Sequence, residues 1–249
     1  MQPIVELKNI SLKYQSPGAE TEAIKDVSLK IYKGEFISIV GPSGCGKSTL
    51  LSIISGLLQP SGGHIIKDND MITGYMLQKD HLFEWRNIMD NVLLGLEIKN
   101  ILTDDNLSYA TELLDRYGLG SFKTHRPSEL SGGMRQRVAL IRTLAIRPEI
   151  LLLDEPFSAL DYQTRLFVSD EIGTIIKKEN KTAILVTHDI SEALSLSDRV
   201  IVLSGRPAVI KAEHKIEFSI PDRTPMRSRE APEFKDYFNT IWKELDHNE

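Results

Sequence analysis

At 249 residues, with 41% hydrophobic, 7% aromatic and 26% charged side chains, the chain has the composition of a globular protein able to bury a full core. A net charge of −5 argues against non-specific nucleic-acid binding, and no nucleic-acid partner is expected. No run approaches the roughly 20 apolar residues of a membrane helix. The N-terminus lacks the basic flank and apolar stretch of a secretory signal, and the single cysteine, Cys45, can form no internal disulfide. Any work at a membrane is therefore expected to pass through partners.

Residues 5–8 (Val-Glu-Leu-Lys) and 27–31 (Val-Ser-Leu-Lys-Ile) alternate with period two, which predicts half-solvated antiparallel strands. The polar Pro-Gly segment 15–22 reads as the turn between them. Residues 36–40 are a continuous apolar run, predicted as a buried strand, and they lead into Gly41-Pro42-Ser43-Gly44-Cys45-Gly46-Lys47-Ser48. A helix over 47–57 follows, closed by Gly56 and Pro60. A short strand is expected over 75–77. From about 87 to 146 there is no strand pattern, only helical spacing over 87–96, over 104–117 up to Gly118, and over 131–146 up to Pro148. Residues 150–153 and 183–186 are further continuous strands, each followed by a polar loop and a helix, which indicates a largely parallel, helix-covered sheet. The chain ends with an alternating strand near 209–218, a Pro-rich link and a helix near 232–245. The locally basic stretch between Arg223 and Arg229 reads as a solvated loop.

The glycines of residues 41–48 let backbone N–H groups turn inward around phosphates, and the loop feeds a helix N-terminus whose dipole favours negative charge. In such a P-loop Lys47 reaches the β- and γ-phosphates and the Ser48 hydroxyl ligates magnesium. Cys45 is a small filler of this loop rather than a catalytic thiol. Asp154 ends an apolar strand, where a carboxylate can hold magnesium, and Glu155 has the placement of a general base for water. The alternative for this acidic pair is that it caps the next helix.

Four strings together, the P-loop, Leu130-Ser131-Gly132-Gly133-Met134, the Asp154-Glu155 strand end and Thr187-His188-Asp189, resemble the ATP-binding-cassette (ABC) ATPases over nearly the whole chain. The resemblance implies an α/β P-loop NTPase core with an N-terminal antiparallel β-subdomain and an inserted helical subdomain. It implies one ABC ATPase domain over 1–249: a core of 1–86 and 148–204, the insert 87–147, and a strand-helix arm 205–249. ATP and magnesium are the implied cofactors. Glu155 would polarise the attacking water, His188 would contact the γ-phosphate, and Gln78 would sense magnesium and that water, with Lys47 completing the catalytic group. Ser48, Gln78 and Asp154 are the implied metal set. The nucleotide would be held by residues 41–48 with Thr49 and by Tyr14, the aromatic at the family spacing for stacking on adenine. Tyr14 is otherwise an ordinary strand-end aromatic. Ser131, Gly132 and Gly133 have no evident role within one chain; in the family this turn docks on the γ-phosphate held by a second copy. Asp161, in the loop Ser158-Ala159-Leu160-Asp161, would touch that copy beside the catalytic glutamate.

Met134 stands where the usual signature has Gln. The string L-S-G-G-M-R-Q-R-V, the Trp85 segment and the tail with Arg206-Pro207 and Trp242 resemble the nitrate, sulfonate, taurine and thiamine-precursor importers. The stretch from Gly63 to Gln78 is shorter than usual, with Asp68-Asn69-Asp70 in place of a longer hairpin. The implied partners are a second copy, permease subunits docking between Gln78 and Trp85, and, indirectly, an extracytoplasmic solute-binding protein, at the cytoplasmic face of the membrane. Leu82, Phe83 and Trp85 would form the permease groove, or else pack one part of the chain on another. The same motifs would also suit an exporter or lipoprotein-release ATPase, and less well a soluble ABC protein acting on ribosomes or DNA.

Overall fold

The computed structural model describes residues 2–16, 19–221 and 223–246. The chain folds as two compact units, Met1–Met71 with Gly173–Glu249, and Ile72–Ile172.

In the first unit β1 (Val5–Ser16) and β2 (Ala19–Ile31) form a long antiparallel ribbon, Val5 opposite Ile31 and Glu6 opposite Lys30. Val5, Leu7, Ile10, Val27, Leu29 and Ile31 are buried on one side, while Glu6 meets Lys8 and Lys30 at 3.5 Å on the other. The turn expected over 15–22 is mostly strand. Tyr14 faces Thr21 and Gln15 faces Glu20, and Lys13 pairs with Glu20 at 2.7 Å, so opposite charges make a polar stretch a good solvated ribbon. The expected Pro17-Gly18 tip lies outside the described residues. β3 (Phe36–Val40) is buried throughout and leads into α1 (Lys47–Ser55), which ends at Gly56 in the left-handed conformation. β4 (Gly62–Lys67), a strand the sequence pattern does not reveal, pairs with the free side of β1. Asp68 then closes a turn on the Asp70 N–H at 3.1 Å.

In the second unit β5 (Thr73–Met76) runs parallel to β6 (Ile150–Asp154), Thr73 opposite Ile150. Three α-helices lie between them in sequence. The first, α2 (Ile88–Ile98), is capped by Asn87, and the second, α3 (Asp104–Arg116), by Thr103. The third, α4 (Gly132–Ala145), is capped by Ser131. Their apolar stripes, including Val92, Leu96, Leu113, Val138 and Ile141, are fully buried. α5 (Tyr162–Lys178) follows β6. The unit thus begins at 72 and ends at 172, and takes in β5 and β6 beside the helices of the expected 87–147 insert.

The chain returns to the first unit with β7 (Thr182–Val186), α6 (Ile190–Leu196), β8 (Arg199–Leu203) and β9 (Ile210–Lys215). β3 is parallel to both β7 and β8, and β9 is antiparallel on β8. β3 and β7 are buried at every residue, which is why both read as unbroken apolar runs. β8 is a further strand absent from the sequence-based expectation. The Pro-rich link contains α7 (Pro225–Ser228), and α8 (Phe234–Asp246) inserts Ile241 into a core with Val40, Leu194, Val200 and Ile216.

Arg223, expected in a solvated loop, is instead a strut. Its guanidinium donates to the carbonyls of Ile216 at 3.3 Å, Leu194 at 3.1 Å and Ser197, and lies over the Phe218 ring. Burial lowers its pKa against the opposing pull of Asp198.

Candidate active site

β3 delivers the chain to Gly41, and the loop turns with Gly44 at φ 72° and Gly46 at φ 130°. A Cβ on Gly46 would stand 3.0 Å from the Ala23 carbonyl oxygen, so a side chain there would be strained in torsion and would push that carbonyl aside. Gly46 is also the N-cap of α1. It has no side chain to cap the helix, and the first turn carries no acidic residue. Gly46 thus offers the orphan N–H groups and positive dipole end of α1 no side-chain acceptor of its own. Lys47 is 6% exposed and donates to the Gly41 and Pro42 carbonyls, each at 2.9 Å, which folds its ammonium over the loop. Arg206, outside the expected nucleotide set, braces the loop by donating to the Gly44 carbonyl at 2.7 Å. Burial raises the Cys45 pKa, outweighing the pull of Lys47, and leaves a neutral, inert thiol.

This donor-rich cradle fits a chain of phosphates. Among the described residues no group of three or more His, Cys, Asp or Glu could hold a metal alone. Magnesium, however, characteristically takes one or two protein oxygens and fills its remaining positions with phosphate and water. The Ser48 hydroxyl in the first unit is a donor of that kind, and so, taken by itself, is the Asp154 carboxylate in the second. Tyr14 is 42% exposed, and its hydroxyl shares a 3.3 Å hydrogen bond with the Thr49 hydroxyl, which ties the ribbon to the first turn of α1.

His188 is exposed directly after β7, and Asp189 caps α6 by accepting from the N–H groups of Ser191 at 2.8 Å and Glu192 at 3.2 Å. Phe238, Trp242 and Leu245 of α8 line an open cleft with it.

In the second unit Asp154 is buried at the end of β6 and accepts a 3.4 Å bond from the Tyr75 hydroxyl. Glu155 adopts φ 45°, a left-handed conformation uncommon for a residue with a side chain. Gln78 donates to the Ser158 hydroxyl at 3.2 Å and, at longer range, to the Glu155 carboxylate at 3.4 Å. The Ser158 hydroxyl donates to the Glu155 carbonyl at 3.0 Å. The acidic pair therefore does not cap the next helix. That task falls to Asp161, whose carboxylate accepts from the Thr164 N–H at 3.1 Å and is held below its usual pKa by the Thr164 side chain and that N–H.

Ser131 does have a role within one chain, contrary to the sequence reading. It caps α4 by accepting from the Met134 N–H at 3.3 Å. Gly133 is buried, and a Cβ there would come within 2.8 Å of Val168, so close helix packing alone requires this glycine.

The cluster expected to act together after Gln78 is split. Leu82 is 6% exposed and belongs to the core, Phe83 is half-buried, and Trp85 is 71% exposed, stacked on Phe83 at 4.6 Å. Asn91, invisible to motif reading, holds this segment from inside. It accepts from the Phe83 N–H at 2.7 Å and donates to the carbonyls of Phe83, Arg86 and Asn87. Arg135 pairs with Asp80 and Glu84 at 2.8 Å, and Arg142 donates to the Asp80 and His81 carbonyls.

Fold and loop together define an ATP-binding cassette, and comparison with known proteins agrees. The profile of the ABC transporter family matches residues 24–158, and the chain belongs to that family of ATPases. It is 45% identical to the uncharacterized ABC transporter ATP-binding protein YtlC of Bacillus subtilis, over 97% of this chain and 95% of that protein. It is 41% identical to the taurine import ATP-binding protein TauB of Ruegeria pomeroyi, over 86% of this chain and 83% of that one. The nitrate import ATP-binding protein NrtC of Synechococcus elongatus is 43% identical over 90% of this chain, which spans 35% of its length. The solved dimeric post-hydrolysis state of the ATP-binding cassette MJ0796, bound to ADP and Pi, matches with a TM-score of 0.72 and 34% identity. That match covers 86% of this chain and 99% of the other.

Proposed function

We propose that this chain is the ATP-hydrolysing subunit of a membrane importer. It would act at the cytoplasmic face on a separate permease and drive uptake of a small solute such as nitrate, sulfonate, taurine or a thiamine precursor. Among the described residues no helix is long and apolar enough to cross a membrane. The observation that carries the nucleotide chemistry is the P-loop, where a buried Lys47 folds over a glycine-rich turn that feeds the N-terminus of α1. The import direction and the range of solutes rest on the kinship with taurine and nitrate import ATP-binding proteins.

In this reading the N–H groups of the P-loop, Lys47, Ser48 and Thr49 hold the phosphates, and Tyr14 offers its exposed ring to the base. Ser48 and Asp154 would hold a magnesium ion, which would supply charge neutralisation on the phosphate oxygens. Glu155 positions water for in-line attack and takes its proton as the new oxygen–phosphorus bond forms. The γ-phosphoryl bond to ADP then breaks, and ADP and inorganic phosphate leave. Gln78 and His188 orient water and γ-phosphate. Ser131, Gly132 and Gly133 approach the nucleotide of a second copy, so that ATP joins two subunits and hydrolysis releases them. The Ser131 hydroxyl that caps α4 would serve both helix and phosphate.

The test is Glu155→Gln, which should bind ATP normally, hydrolyse it at least about 10²-fold more slowly, roughly 3 kcal/mol of barrier, and accumulate as an ATP-bound dimer on size exclusion. Near-normal turnover would remove Glu155 from the chemistry. Import is tested in vesicles reconstituted with the permease, where ATP on the cytoplasmic side should drive taurine or nitrate across to that side.

A further inference from the structure

Glu192 is a carboxylate only 3% exposed, in the first turn of α6, and no motif assigns it a task. Burying a carboxylate is costly unless its acceptors are used. One oxygen accepts from the Thr187 hydroxyl at 2.7 Å. That same hydroxyl oxygen accepts from the Asp189 N–H at 3.0 Å. In an ordinary capping box the third helical residue reaches the backbone N–H of the N-cap directly. Here the reach of Glu192 toward the N-cap N–H of Asp189 passes through Thr187, and the chain between the two relayed groups is His188.

The residues on either side of His188 are thereby pinned. The Thr187 N–H donates to the Ile39 carbonyl of β3 at 3.3 Å, two residues before the P-loop begins. Asp189 is fixed through its carboxylate on Ser191 and Glu192 and through its carbonyl, which accepts from the Ala193 N–H at 3.1 Å. A hydrogen bond to a charged group is worth roughly twice a neutral one, so the carboxylate makes the stiff end of this relay.

We propose that Glu192 is a positioning residue for His188: through the Thr187 hydroxyl it fixes the turn that presents the imidazole, registering that turn to the strand that feeds the P-loop. The inference rests on the reading of His188 as a γ-phosphate contact, and His188→Ala tests that reading separately. If His188→Ala hydrolyses ATP at the wild-type rate, the reading of His188 fails, whatever Glu192 does.

With His188 confirmed, the decisive protein is the double variant Thr187→Val/Glu192→Leu. Replacing both partners with apolar groups of similar shape removes the relay and its buried charge together, so the fold should persist. Its expected behaviour is a folded protein whose melting temperature falls by no more than about 5 °C, the Asp189 N–H alone losing its acceptor, and a KM for ATP within about twofold of wild type, because the P-loop is untouched, with kcat at least about tenfold lower. Glu192→Gln keeps an acceptor for the Thr187 hydroxyl and should restore most of kcat, whereas Glu192→Ala should not. The imidazole resonances of His188, identified by their loss in His188→Gln, should broaden or shift in the double variant. A folded double variant with wild-type kcat and unmoved His188 resonances would overturn the proposal and leave Glu192 as a helix cap. Glu192→Gln as slow as Glu192→Ala would overturn it too, since the relay needs only an acceptor.

Discussion

The P-loop and the segment 78–86 are both polar loops that follow a parallel strand, yet they are held by different means. Backbone torsions and a single ammonium shape the P-loop: Gly44 and Gly46 take positive φ, and Lys47 bonds to carbonyls five and six residues before it. Long-range side chains shape the 78–86 segment, with Asn91 inside it and Arg135 and Arg142 reaching it from α4. The first is a fixed mould for one ligand. The second is a surface pinned at a few points, with Trp85 standing free of the core.

The largest effect should come from emptying the mould. Lys47→Ala removes the ammonium but keeps the glycine torsions, so the protein should fold, yet ATP hydrolysis should drop at least about 10³-fold, or roughly 4 kcal/mol of barrier. Malachite-green phosphate release checks it, and residual turnover within about tenfold of wild type would show that the helix N-terminus suffices alone.

The segment 78–86 should break differently. Asn91→Ala strips partners from the Phe83 N–H and the Arg86 carbonyl at once, while the Phe83 carbonyl keeps the Arg86 N–H. Chemical denaturation should show a loss of about 3 kcal/mol, from unsatisfied buried groups and a small cavity. Basal hydrolysis should change less than stability does. Were Asn91→Ala as stable as wild type, the arginines alone would hold the segment.

These two mechanisms also explain what the sequence makes legible. Glycine spacing, apolar runs and Gly or Pro stops are local signals, and they locate β3, α1, α2, α3, α4, β6 and β7 to within about two residues. The P-loop is readable because its function is carried by backbone that only certain residues permit. Asn91, Arg206 and Glu192 carry no such signal, since each acts on residues brought close by folding and looks in sequence like any surface polar residue. The stretch 15–22 reads as a turn because Pro17 and Gly18 dominate a local reading of the sequence, while the cross-strand pairing of Lys13 with Glu20 emerges only once register is known. Leu82, Phe83 and Trp85 share one short stretch of chain, and only packing tells the buried one from the exposed one.

A glycine pair sharpens the claim that torsion shapes the P-loop. Gly46 has φ 130° and a carbonyl at 3.0 Å from the missing Cβ, whereas Gly56, at the other end of α1, has φ 88° and nothing within 4 Å. Gly46→Ala should cost about 2 kcal/mol, from strain plus displacement of the Ala23 carbonyl, and should weaken ATP binding. Gly56→Ala should cost about 1 kcal/mol from strain alone and leave ATP binding intact. Equal losses in thermal melts would mean that space around Gly46 contributes nothing.

The smallest expected effect is electrostatic and belongs to the 78–86 segment. Burial alone would raise the Asp80 pKa, but the Arg135 guanidinium, the Leu82 N–H and the charge of Arg142 together bring it below the ordinary carboxylate value. A carboxyl depressed in the folded state contributes stability in full above its unfolded pKa of about 4 and loses it as pH falls through the folded value. The Asp80–Arg135 link should therefore be complete at about pH 7 and pH 5 and weaken only below about pH 4, with an effect under about 1 kcal/mol because the pair is partly solvated. Trp85, stacked on Phe83 in the same segment, can report it once Trp242, the other tryptophan, is replaced by Phe. Its emission should stay constant from about pH 7 to 5 and shift below about pH 4, before the global loss of circular dichroism. Asp80→Asn should show the shifted emission already at neutral pH and no separate acid step. Glu84 also pairs with Arg135 at 2.8 Å but is more exposed, so Glu84→Gln should keep the acid step. If Asp80→Asn retains that step while Glu84→Gln loses it, the arginine is held by Glu84, and the segment is pinned from its rim rather than from Asp80.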